Sequence, residues 1–175
     1  MPTVLITGAG SGIGRDTAKL FADAGWQCVL VDFNAQALQQ LGQSLPRPES
    51  AAHVLRTVDL TDPAQVASLR EGLPPLDAIL NNAGMSDASN TPLAEQSPQQ
   101  AGRLLALNLA APAAVVDACS QVLKPGARIV NVSSGAGLHA IPWRGLDSPR
   151  KAGLLAPSRA VARTPPAPPA RRRRT

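Results

Sequence analysis

The chain has 175 residues, 44% of them apolar, which suits one domain with a real core. Its net charge of +5 is unevenly placed: residues 1–146 carry 9 Lys+Arg against 11 Asp+Glu, whereas 147–175 carry 8 basic side chains against Asp147 alone. That split excludes a uniformly basic nucleic-acid-binding surface. Asp16 and Lys19 interrupt what could otherwise read as a leader, and no apolar stretch reaches the ~20 residues of a bilayer span.

Taken in chain order, apolar runs alternate with amphipathic stretches. Strands are expected at 3–7, 27–32, 53–58, 76–80 and 127–132, and helices at 13–25, 34–45, 62–72, 98–123 and about 149–162. Asp62-Pro63 and Ser97-Pro98 are N-cap and first-turn pairs, and Gly25 closes the first helix. Alternating β and α elements argue for a parallel sheet covered on both faces. Cys28 falls in a strand and Cys119 in a helix, so both read as buried free thiols in a reducing cytoplasm. His53 and His139 have no metal-ligand spacing, and no metal site is expected.

The octapeptide Thr7-Gly8-Ala9-Gly10-Ser11-Gly12-Ile13-Gly14 follows the first strand and opens the first helix. A glycine-rich turn there aims backbone N–H groups and the positive end of the helix dipole at a pyrophosphate. Gly8 permits the turn, Gly12 removes a Cβ that would block phosphates, and Gly14 lets helix and strand pack closely. Asp32 closes the second strand, eighteen residues after Gly14, where a carboxylate accepts hydrogen bonds from an adenosine ribose. The bland alternative is an ordinary charged strand end. A carboxylate here repels a 2′-phosphate, so NAD is expected in preference to NADP. Arg15 could bind a phosphate or simply be solvated.

The TGxxxGIG spacing resembles the short-chain dehydrogenase/reductase family. Asp59-Leu60, Asn81-Asn82-Ala83-Gly84 and Ile129-Val130-Asn131-Val132-Ser133-Ser134 follow in the family's order. The resemblance covers roughly residues 3–163 and implies a Rossmann-type three-layer α/β/α domain with strand order 3-2-1-4-5. It implies NAD-dependent oxidation of an alcohol or reduction of a carbonyl in a small-molecule substrate. Asp59 and Leu60 would contact adenine, with an N-cap-like turn residue as the alternative for Asp59. Asn82, Ala83 and Gly84 would line the adenosine side, unless they form a plain turn. Asn108, unfavoured inside a helix, would hold a proton-relay water. Ser134 would orient the substrate oxygen, and Lys151 would bind the nicotinamide ribose.

The family's acid/base catalyst is a tyrosine, and this chain has none. Asp147 stands thirteen residues after Ser134 and four before Lys151, in the tyrosine's place. Proton transfer needs a group with a pKa near working pH, within ~3 Å of the reacting oxygen. A carboxyl starts near 3.9, and a neighbouring Lys151 lowers it further, so Asp147 would be ionised at neutral pH. It is also too short to reach. The second hypothesis is therefore a catalytically inactive nucleotide-binding remnant or interaction protein.

Residues 164–175, TPPAPPARRRRT, cannot bury a core and are expected to be disordered. The arginine run lacks the interleaved aromatics of a base-stacking module. The chain is shorter than family members, with a truncation or frameshift as the expected cause. Without the family's last strands, the strand at 127–132 becomes an apolar sheet edge, and a homo-oligomer is expected.

Overall fold

The computed structural model describes residues 1–48, 51–86 and 97–134. Five strands form one parallel sheet: β1 (Thr3–Thr7), β2 (Gln27–Asp32), β3 (Val54–Thr57), β4 (Leu76–Asn81) and β5 (Leu123–Asn131). Their order is β3-β2-β1-β4-β5, the arrangement that the family resemblance implies, and all pairs are parallel, as the alternating elements lead one to expect. β1 is buried along its whole length, as a central parallel strand covered on both faces must be.

Side chains of β1 and β2 alternate between two cores. Leu5, Val29 and Val31 face α3 (Pro63–Ser68) and α5 (Ala111–Cys119), meeting Val66, Val115 and Cys119. Val4, Ile6, Cys28 and Leu30 face α1 (Gly12–Asp23) and α2 (Ala35–Ser44), meeting Ala18, Ala22, Leu38 and Leu41. Burial pushes the Cys28 thiol up to about 12 and that of Cys119 to about 11, so both sit as inert apolar groups. His53 is structural: its Nδ1 accepts the Cys28 N–H at 3.0 Å, and its Nε2 lies 3.0 Å from the Pro46 carbonyl. With Nδ1 an acceptor, the proton belongs on Nε2.

The caps behave as their residue types dictate. Asn34 Oδ1 accepts the Ala37 N–H at 3.0 Å, Asp62 Oδ1 that of Ala64 at 2.9 Å, and Ser97 Oγ that of Gln100 at 3.2 Å. Helix α3 stops at Ser68, short of the expected 72, and the chain leaves through Gly72 at φ +65°.

The single helix expected over 98–123 is instead a broken run. Helix α4 (Pro98–Leu105) passes into a π-helical turn at Ala106–Ala110, then α5, then a 3-10 turn at Ser120–Val122. The cause is Pro112: it has no N–H for the Asn108 carbonyl four residues earlier, and its ring crowds that carbonyl. The slack is taken up as an i→i−5 bond from the Ala111 N–H to the Ala106 carbonyl. The run Pro98–Val122 is, by length and composition, long and apolar enough to cross a membrane, contrary to the reading of the sequence. Core helices of globular domains pass the same test, and α5 lays Ala111, Val115 and Cys119 on the sheet.

β5 begins four residues earlier than expected. Leu123 pairs with Leu76, the strand bulges, and pairing resumes at Arg128 opposite Ala78. Lys124 Nζ anchors the bulge to Asp77 Oδ2 at 2.7 Å, and the Thr3 N–H donates to the same oxygen at 2.8 Å. One carboxylate thus gathers the beginnings of β1, β4 and β5.

Candidate nucleotide-binding and active site

A cleft of about 380 Å³ opens at the carboxyl edge of the sheet, where ligands of open parallel sheets lie. Its floor is the glycine loop, through Gly8, Ser11, Gly12 and Ile13. Ser11 occupies the N-cap of α1 in extended backbone, and its hydroxyl makes no capping bond. The first N–H groups of α1 therefore lack a side-chain acceptor from the cap residue, and point where an anion would sit. A Cβ at Gly12 would meet no protein atom, so the space beyond that residue is open.

Gly14 does a different job. A Cβ there would run into the Gly8 carbonyl oxygen and come within 2.5 Å of Asn82 Nδ2. The helix can lie this close to the loop only because that atom is missing. Gly10 also lies behind the cleft surface, where its N–H donates to Asp32 Oδ2 at 2.9 Å.

Asp32 is 8% exposed, ends β2 and lines the cleft. Its Oδ1 accepts the Asn34 N–H at 2.9 Å, so both oxygens already serve the local backbone. Further along lie Asp59 and Leu60. Asp59 Oδ1 accepts from the Thr61 hydroxyl at 2.7 Å and the Thr61 N–H at 2.9 Å. Those bonds, the hydroxyl's first, hold the Asp59 carboxyl below its ordinary range, with Arg103 adding a smaller charge effect.

The opposite wall is Asn82, Ala83 and Gly84. Thr7 fixes it: its Oγ1 accepts the N–H groups of Asn82 and Ala83, each at 3.0 Å. Asn82 answers by donating Nδ2 to the carbonyls of Thr7 at 3.0 Å and Gly8 at 3.2 Å. The turn after β4 and the glycine loop after β1 are therefore one hydrogen-bonded unit.

Asn108 is 2% exposed and sits in the π-helical turn. Its Nδ2 donates to the Leu104 carbonyl at 2.9 Å and the Met85 carbonyl at 3.0 Å, and its Oδ1 accepts the Met85 N–H at 3.2 Å. The amide is thus committed to holding Met85. Pro112 has no N–H to offer the Asn108 carbonyl in the α-helical pattern. Ser134 is exposed, three residues past the Asn131–Asn81 pairing at the same sheet edge. Asp147 and Lys151 lie outside the described residues, as do the helix expected at 149–162 and the tail.

The motifs account for only part of the cleft lining. Phe33, Met85, Arg103 and Leu107 also line the cleft, and Thr7 supports its wall from behind. Arg103 and Leu107 had a legible signal, since they share a helical face at four-residue spacing beside Asn108.

The family description "short chain dehydrogenase" matches residues 2–164. The chain belongs to that family. An uncharacterised short-chain type dehydrogenase/reductase of Sinorhizobium fredii is 34% identical over 163 residues, 91% of this chain and 29% of the relative. A short-chain dehydrogenase from Sphingobium yanoikuyae, solved with NADPH, is 34% identical with a TM-score of 0.77, over 92% of this chain and 64% of that one. Another from Burkholderia phymatum, solved with NAD, is 28% identical with a TM-score of 0.82, over 91% and 58%. The chain spans 29%, 46% and 64% of the lengths of the first three curated relatives it matches.

Proposed function

We propose that this chain binds NAD(H) in the cleft, as the nucleotide-binding part of an oxidoreductase for small alcohol or carbonyl substrates. The observation that carries the reading is the buried Asp32 carboxylate beside the open N-terminus of α1. NAD would place its pyrophosphate over Gly12 and Ile13 and its adenosine ribose hydroxyls against Asp32. Asp59, Leu60 and Asn82 to Gly84 would border the adenine side. The relatives include one solved with NADPH and one with NAD; a 2′-phosphate brought beside Asp32 meets charge repulsion in a partly desolvated site, which favours NAD here.

The bound nicotinamide supplies hydride transfer. Ser134 would orient the substrate oxygen, Lys151 would hold the nicotinamide ribose, and Asn108 would fix Met85 and offer its carbonyl to a relay water. Asp147 occupies the acid/base place and is unsuited to it. Buried thiols at Cys28 and Cys119 suit a reducing, cytoplasmic setting. A second reading, nucleotide binding without turnover, is favoured by the absence of tyrosine from the chain.

Calorimetry with NADH and NADPH, paired with a spectrophotometric assay of secondary alcohols and ketones, tests both parts. The expected result is tighter binding of NADH and negligible turnover, with Asp147→Tyr recovering little. No binding of either nucleotide by folded protein defeats the binding reading. Robust turnover by the unmodified chain defeats the second reading.

A further inference from the structure

We propose that Asn81 is a positioning residue, whose buried amide couples the π-helical turn carrying Asn108 to the strand end carrying Ser134. The inference rests on the active-site reading above and adds a residue to it.

Asn81 closes β4 and is 4% exposed. Its Nδ2 donates in two directions: to Asn131 Oδ1 at 2.8 Å on β5, and to the Pro112 carbonyl at 3.2 Å in the first turn of α5. Its backbone carbonyl accepts the Val132 N–H at 2.9 Å. Asn81 thus holds β5 at Asn131 and Val132, just before Ser133 and Ser134, through side chain and main chain together. The same amide holds the proline responsible for the π-helical turn, one helical turn beyond Asn108.

Asn81 makes two directed bonds and carries one cost. Its Oδ1 is buried without a partner among the described residues, and an unpaired buried acceptor is unfavourable. Leucine, of similar size, would avoid that cost but would leave the Pro112 carbonyl and Asn131 Oδ1 without this donor. What leucine cannot supply is a pair of directed donors set at a fixed angle, which ties Pro112 to Asn131. The direction of the amide is unambiguous, because the Pro112 carbonyl can only accept. A shift of either partner then has to be shared with the other, since a network of this kind moves as a unit.

The test uses the full-length chain labelled with ¹⁵N, beside Asn81→Leu and Asn131→Ala. In Asn81→Leu, the side-chain amide pair of Asn108 and the backbone amides of Ser133 and Ser134 should shift together. The amides of Gly8 to Gly14 should stay in place. In Asn131→Ala the Asn81 amide is left with Pro112 alone, so the Asn108 side-chain signals should shift as well. A general loss of stability would lower the melting point of either variant without moving the Asn108 amide pair. A folded Asn81→Leu with unmoved Asn108 and Ser134 signals overturns the proposal. Should Asn81→Leu fail to fold, unmoved Asn108 signals in Asn131→Ala overturn it instead. Failure of the wild-type chain to bind NADH would count against the nucleotide reading and leave this coupling test readable.

Discussion

The Gly10 N–H donates to Asp32 Oδ2 at 2.9 Å, so the carboxylate that faces the cleft also shapes the glycine loop. A side chain at Gly10 would put its Cβ 3.0 Å from the Asp32 carboxyl carbon, tighter than ordinary contact. Loop and carboxylate are thus fitted to each other across the β1–β2 pair. Asp32→Ala removes an acceptor from the N–H groups of both Gly10 and Asn34. We expect a stability loss of about 1–3 kcal/mol, and NADH affinity weakened about 10- to 100-fold through lost charge-assisted bonds to the ribose. NADPH should lose less, because repulsion of its phosphate is relieved. Equal losses for the two nucleotides by calorimetry would contradict the ribose role.

Gly12 and Gly14 should respond in opposite ways. Gly12 has φ +50° and open space around its Cβ position. Gly12→Ala should fold with a cost of about 1–2 kcal/mol for the left-handed backbone, and lose nucleotide affinity because the methyl enters the phosphate space. Gly14→Ala drives a methyl into the Gly8 carbonyl and Asn82, so it should destabilise by about 1–3 kcal/mol or more. Thermal melts and calorimetry on both variants check this. A stable Gly14→Ala with unchanged binding would mean that α1 is less tightly seated than the geometry requires.

Acid should loosen the sheet through Asp77. The bond from Lys124 is the main cause holding its carboxyl below the ordinary range, with the Thr3 N–H contributing. The folded chain keeps this group ionised to lower pH than the unfolded chain does, so in acid the unfolded chain binds more protons. The stability from this site is complete above the unfolded carboxyl's pKa, near ~4, and is lost as pH falls toward the folded value. Asp77→Asn should lower stability at neutral pH and flatten the decline below about pH 4. Urea melts of the two proteins giving parallel pH profiles would show that Asp77 is not responsible.

Self-association should occur through the β5 side. Among the described residues β5 lies at the edge of the five-stranded sheet, and Val130 on it is 52% exposed. Unpaired strand groups beside exposed apolar side chains recruit other chains, and a lysine on such an edge discourages pairing. Light scattering at ~100 µM should give a mass above that of one chain, and Val130→Lys should shift it toward the monomer. A monodisperse wild-type monomer would rule this out.

The sequence by itself determined the alternation of elements, and with it a parallel sheet; the 3-2-1-4-5 order came with the family motifs. Each strand and helix carries its own hydrophobic period, and a parallel sheet leaves few ways to connect them. It also placed the glycine loop and Asp32, because those spacings are local to one βαβ unit. The break at Asn108 departs from the single helix expected over 98–123, although Pro112 in the middle of that stretch carries the signal for it. Only the tertiary structure decided which groups those residues serve. That Asn108 holds Met85, that Thr7 receives the turn after β4, and that Asn81 reaches both Pro112 and Asn131 depend on contacts between residues 23 to 76 positions apart. The early start of β5 at Leu123 belongs with them, because Lys124 gains its partner Asp77 only once the two strands lie side by side. A side chain's hydrogen-bonding capacity is written in its residue type, but its partner is chosen by packing.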